Sequence, residues 1–297
     1  MANDPNVDRR SVLRGLGVLA LAPGIPQAHA ERITAETALK SSTPSHSSPK
    51  NSESEGKRRL SRFLRMRTSP DGAPVLWVYS GVLVVKPEGE VARPVARIAG
   101  LSKSLATSIS DDRWLWTLDE AGYFCDLESG GIADELINPF TGRAVRPRHY
   151  RSPQKLIFGW QNIVPGEPLD PKIEFRGEIT ELARIAGTIA MTEDLYVKLP
   201  AVAPRGDQPG RPARFAASLA TFSSKEIQFS RPDTEWMECQ FNYTTLNSIV
   251  GWLEMSAVAG VQDMRLIGVK IPVSATNLVP SELLRRVSED HPGLLDH

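Results

Sequence analysis

Strict alternation of apolar and polar residues is the clearest pattern along this chain. In KIEFRGEIT (172–180), Ile173, Phe175, Gly177 and Ile179 alternate with Lys172, Glu174, Arg176 and Glu178. In MECQFNYT (237–244), Met237, Cys239, Phe241 and Tyr243 alternate with Glu238, Gln240, Asn242 and Thr244. A period of two is that of a strand with one apolar and one polar face. In a barrel the polar face need not be the outer one, since it can line a wet lumen. Further strand candidates are LSRFLRMR (60–67), VLWVYSGVLVV (75–85), RPVARIAGLS (93–102) and RWLWTLDEAGYFCDL (113–127), followed by IADELIN and RAVRPRHYR. Turn residues separate them: TSPDGAP, Ser110-Asp111-Asp112, Glu128-Ser129-Gly130-Gly131 and Asn138-Pro139-Phe140-Thr141-Gly142.

Hairpin signals at such regular spacing predict a mainly β fold, an antiparallel, barrel-like (lipocalin- or calycin-like) single domain over residues 57–297. Helix is scarce. The best candidate is SELLRRVSED (281–290), with Ser281 as N-cap and Glu282 in the first turn. The Pro-rich LPAVAPRGDQPGRPA (199–213) reads as a long loop, a lid or an insert.

The first thirty residues break this pattern. The apolar run Val12–Ile25 is interrupted by Arg14, Gly15, Gly17, Pro23 and Gly24. A membrane-spanning helix needs about 20 largely apolar residues, so the run is too short to span. Basic residues, an apolar stretch and Ala28-His29-Ala30 together make a secretory signal with cleavage near Ala30. Arg9-Arg10, followed by Ser11, Val12, Leu13 and Arg14, resembles the twin-arginine motif, although Asp8 and Val12 depart from the commoner residues. An ordinary secretory signal is the alternative. The resemblance implies the twin-arginine export machinery as a partner, a periplasmic location and cargo folded before transport. Residues 31–56, with SSTPSHSSPKNSESEG, are too polar to offset their ordering entropy and read as a tether whose removal leaves the melting temperature unchanged.

Composition narrows the function classes. Thirty-five basic residues balance thirty-five acidic ones, so no global field favours nucleic acid. No second apolar stretch is long enough to cross a membrane, so the mature form has no transmembrane segment. The two cysteines, Cys125 and Cys239, both lie on expected strands in an oxidising compartment. A bridge and two buried thiols both remain open, since folding before export means folding among reducing thiols.

Cofactor motifs are not found. After the signal the histidines are His46, His149, His291 and His297, without zinc-ligand spacing, and there is no Cys-x-x-Cys, haem-attachment or phosphate-loop motif. The expectation is no cofactor, with a carboxylate-bound cation among the acids of 111–135 left open. His149 sits among Arg143, Arg146, Arg148 and Arg151, whose charges would hold it neutral as a general base. Arg146 and Arg148 could anchor an anionic group, or the stretch is a basic strand edge that discourages aggregation. Asp119 and Tyr123, four apart, share a face of a regular strand and could act as base and acid. Alternatively, the eight acids between Asp111 and Glu135 pair with KRRLSRFLRMR, six of whose eleven residues are basic. Of the six tryptophans, Trp114 and Trp116 share a strand face, and with Trp252 they could line a pocket or simply fill the core.

The run WTLDEAGYFCDLESGGIADELINPFTGRAV (116–145) resembles a bacterial and fungal family known as domain of unknown function 1838. The likeness rests on Gly122-Tyr123, the acidic turn with Gly130, Asn138-Pro139 and Thr141-Gly142. It is joined more loosely by NSIVGWLEMSAVAG and by His291-Pro292. It spans roughly Lys57–Leu295 and implies a fold and a twin-arginine signal, which members often carry. It implies no catalytic residue. Three functional readings follow. One is an acid–base isomerase, lyase or hydrolase on a small apolar or aromatic molecule, with His149 or Asp119 as base and Tyr123 as proton donor. The others are a carrier of a hydrophobic ligand and an envelope interaction protein.

Overall fold

A computed structural model describes residues 49–201, 213–233, 235–255 and 260–295. The signal, residues 31–48 of the tether and residues 202–212 of the Pro-rich loop lie outside the described residues. Ten strands form one antiparallel sheet: β1 (Val75–Pro87), β2 (Arg93–Ser110), β3 (Arg113–Cys125), β6 (Tyr150–Gly159), β7 (Ile163–Pro165), β8 (Glu174–Ile185), β9 (Thr188–Leu199), β10 (Arg214–Lys225), β11 (Gln240–Ser248) and β12 (Gly260–Pro272). A small hairpin, β4 (Leu136–Ile137) with β5 (Ala144–Val145), stands apart. The order is β7-β6-β3-β2-β1-β12-β11-β10-β9-β8, and the two end strands nearly meet. A Cβ on Gly177 of β8 would lie 2.8 Å from the Ile163 Cβ of β7, so the sheet curls into an almost closed barrel.

The alternation read in the sequence decides which face is inside. On β8, Glu174, Arg176 and Glu178 are exposed, while Phe175 and Ile179 face the interior cluster. The polar face here is the outer one. The helix α2 (Ser281–Asp290) forms as expected, but its N-cap is Pro280 without a side-chain cap, and Ser281 is the first helical residue. It packs Leu283 and Val287 over the outer face of the sheet, against Leu76, Leu101, Ala121 and Tyr123.

The main departure is at the start. LSRFLRMR is not a strand but the end of helix α1 (Pro49–Arg67), and the ordered domain thus reaches upstream of Lys57 into the stretch read as a tether. Leu60, Phe63 and Leu64 recur at i, i+3 and i+4, which is the helical period. They close one end of the barrel against Trp77, Trp116, Phe158, Met191 and Phe222. The opposite end is filled by Phe124, Leu136, Val145, Val250, Trp252 and Leu253. Cys125 and Cys239 are both buried and unbridged.

The C-terminus of α1 concentrates cations, where the unpaired carbonyls favour them. Lys270 of β12 donates to the carbonyls of Arg65 (3.2 Å) and Thr68 (2.8 Å). Arg67 enters the barrel, 6% exposed, and pairs with the equally buried Glu193 of β9. Its guanidinium lies 4.0 Å from the centre of the Trp116 ring and 4.8 Å from that of Phe222. Among the described residues the basic stretch makes no salt bridge to the acids of 111–135, although the charges of Asp112 and Asp111 add to the rise of the Lys57 ammonium that Glu53 causes first. Its arginines meet Glu181, Glu193 and Asp233.

Removing one partner of such a pair leaves a buried uncompensated charge. Arg67→Met should therefore cost about 3–5 kcal/mol, and the double variant Arg67→Met/Glu193→Met should recover most of that loss. Urea unfolding midpoints check both; equal losses in the two variants would contradict a charge-pairing origin.

Candidate active site

Between the two apolar ends lies a cavity of about 450 Å³ inside the barrel. Its wall is largely aromatic and aliphatic, including Trp77, Trp116, Phe175, Phe222, Phe241 and Tyr243. Lys155 and Glu167, paired at 2.7 Å and exposed, stand at its rim. Polar groups converge within this mostly apolar wall, Tyr79, Glu120 and Tyr150 on one side and Arg67 and Glu193 on the other, the usual form of a ligand site.

Strand-interior glycines place the polar ones. Phe241, Gly268, Tyr79, Gly100, Gly122 and Tyr150 are successive register partners across β11, β12, β1, β2, β3 and β6. A Cβ on Gly100 would lie 2.1 Å from the Tyr79 ring, and one on Gly122 2.1 Å from the Tyr150 ring. Each tyrosine thus lies flat across the strand beside it, where only glycine leaves room. The two rings point towards each other, and their hydroxyls meet at 3.1 Å. The Tyr79 hydroxyl is also 3.5 Å from the Ala121 carbonyl, as donor.

Glu120 shares this space. Burial raises its carboxyl to about 7, against the partly opposing hydrogen bond from Tyr79. Burial also holds Tyr79 and Tyr150 well above the ordinary phenol range, and the nearby Glu120 charge adds to this. Tyr243 is raised in the same way, by burial first and by Glu120 next. The phenols therefore stay protonated as donors, while Glu120 exchanges its proton near neutral pH. Opposite them, burial draws Glu193 up and Arg67 down, and each partner's charge resists the shift in the other. Arginine keeps its proton in proteins, so the pair stays ionic.

The residues singled out from sequence fall elsewhere, with one exception. Trp116 lines the cavity; Trp114 shares its face but packs half-buried against the α1 end. Trp252 sits in the opposite apolar end, its ring 4.9 Å from Phe124. Asp119 and Tyr123 do share a face, but it is the outer one. Asp119 there is bound by Arg151 at 2.6 and 3.0 Å, and Tyr123 is covered by α2. His149 is half-buried beside Tyr123 at 5.2 Å, its Nδ1 accepting the Phe124 N–H at 3.2 Å. It is held below the usual histidine range, mainly by burial and then by Arg286, and not by its neighbours in sequence. Arg146 and Arg148 are exposed and away from the cavity, so they anchor no ligand in it. Among the described residues no three His, Cys, Asp or Glu side chains gather as a metal site, and no helix is long and apolar enough to cross a membrane.

Glu120, Tyr79, Tyr150, Arg67 and Glu193 were missed. The sequence signal that points to the first three is the glycine set in the middle of neighbouring strands, YSG, IAG, EAG and LIG; Arg67 and Glu193 carry no such mark. No protein-family model matches the chain, and neither does any curated protein.

A carboxyl that binds its proton more tightly when folded destabilises the fold as pH rises from its unfolded value to its folded one. Stability of the native protein should therefore fall between about pH 4.5 and about 7 through Glu120. Glu120→Gln should match wild type below that window and melt several degrees higher above it, as read by thermal scans across pH. In the same barrel, Gly122→Ala should cost about 1–3 kcal/mol by overpacking against Tyr150.

Proposed function

We propose that the barrel interior is the acid–base active site of an enzyme acting on a small, apolar or aromatic carbonyl compound. The observation that carries this reading is the meeting of the Tyr79–Tyr150 hydroxyl pair with Glu120 inside one apolar cavity. A base works best with a pKa near the working pH, and a carboxyl in an apolar site reaches that range by burial. In the reaction the Glu120 carboxylate takes a proton from the carbon next to the substrate carbonyl. The C–H electron pair becomes a C=C bond, and the carbonyl electrons move onto oxygen. That oxyanion accepts a hydrogen bond from Tyr150, whose hydroxyl is held in the cavity beside that of Tyr79. Return of the proton from Glu120 to the same carbon gives exchange, and to a different carbon gives isomerisation.

An exported protein fits the N-terminal arginine pair and the short apolar run behind it. The likeness of residues 116–145 to the domain of unknown function 1838 family supports the same setting and names no activity. Periplasmic delivery through the twin-arginine route is expected to fail in Arg9→Lys/Arg10→Lys, leaving full-length precursor in the cytoplasm on fractionation.

The chemical test uses 2-acetonaphthone in D2O, with the acetyl protons followed by NMR. Wild type should accelerate their exchange for deuterium, and Glu120→Gln should lose that acceleration by about 10²-fold or more. Tyr150→Phe should slow it by removing one donor. Exchange that survives Glu120→Gln would remove the base from the mechanism. Tight binding without any exchange would instead favour a carrier of hydrophobic ligands.

A further inference from the structure

We propose that this cavity admits uncharged ligands and rejects anions, and that Glu193 sets the selectivity by neutralising Arg67 in the cavity wall. The inference rests on the cavity being the substrate site, and it names the substrate class: a carbonyl-bearing aromatic or apolar molecule without a carboxylate or phosphate.

The argument is one of charge at close quarters. Five charged residues line the cavity: Arg67, Glu120, Lys155, Glu167 and Glu193. Among them each cation already faces a carboxylate, Arg67 with Glu193 and Lys155 with Glu167. The second pair lies at the solvent-exposed rim, where water screens it. The first is deep, and the guanidinium is also enclosed by the rings of Phe63, Trp116, Phe158 and Phe222. An entering anion would shed its water and meet Glu120 and Glu193 without a cation to receive it. An uncharged carbonyl loses little on entry, and its oxygen finds the tyrosine hydroxyls. A buried arginine ordinarily receives a carboxylate, and here the carboxylate is the protein's own Glu193, held through Arg67 Nη1.

Glu193→Gln keeps the shape and removes the charge. Arg67 would then remain in its aromatic enclosure as a vacant anion anchor. Two probes with the same ring separate the cases: 2-acetonaphthone, which is uncharged, and 2-naphthoate, which is an anion. By calorimetric titration at pH 7.5, wild type should bind the ketone at least about tenfold more tightly than the naphthoate. In Glu193→Gln the naphthoate should gain about tenfold or more, with the ketone little changed. Where Glu193→Gln does not fold, Arg67→Met/Glu193→Met removes both charges and should keep the ketone while still rejecting naphthoate. Naphthoate binding as well as the ketone to wild type or to the double variant overturns the proposal, and so does a folded Glu193→Gln with no gain. If naphthoate is preferred while exchange still depends on Glu120, the selectivity fails and the acid–base reading stands. If the ketone is preferred but never exchanges, the reverse holds. Failure of both probes to bind wild type overturns both.

Discussion

A guanidinium in the interior of an apolar barrel must be given a counter-charge where it sits, and the Arg67–Glu193 pair answers that requirement. Arg67 ends α1, so the pair fixes the depth at which the helix enters the barrel. Glu193 belongs to β9, almost diametrically placed in the strand order from β3 and its Glu120. One ion pair therefore holds the plug, tethers a strand and leaves the lower wall of the cavity electrically neutral. Lys270 supports it from below by capping the carbonyls at the end of the same helix.

Above this floor the properties of the ionisable groups follow from what surrounds them. Glu120 sits near neutrality because burial withholds water from its charge. Tyr79 and Tyr150 remain donors for the same reason. Their orientation comes from the sheet itself, since Gly100 and Gly122 let each ring lie across a neighbouring strand. Backbone shape and side-chain chemistry are thus coupled: the strands are thinnest where the hydroxyls meet.

The barrel was legible in the sequence because strands such as β8 bury one face only, so their alternation survives. The site was not, and the misses share a cause. Asp119 and Glu120 are adjacent on β3 and must point to opposite faces, and His149 lies just before β6, whose first residue is Tyr150. Choosing between them needs the parity of the strand. Around Tyr123 that parity is hidden, because α2 covers the outer face and both sides of β3 are buried there. Asp119 and His149 each fall one residue away from a side chain that lines the cavity, Glu120 and Tyr150. The basic stretch before the first hairpin was misread for a different reason. Its position beside a turn suggested a strand, whereas Leu60, Phe63, Leu64 and Arg67 mark a helical stripe whose last member is charged.

The order of the strands has a further consequence for how the chain reaches this state. β1 is paired along its whole length with β12, the last strand of the sheet. The plug helix precedes both, yet its partner Glu193 lies far downstream. The β1–β12 pairing closes only once residues 260–272 have been made, although the other strand pairs join near neighbours in sequence. A pair of that kind forms after a long loop has closed, and so later than the local hairpins on either side of it. Until it forms, the sheet is open along one seam and the aromatics that line its cavity face water there, a surface open to other chains.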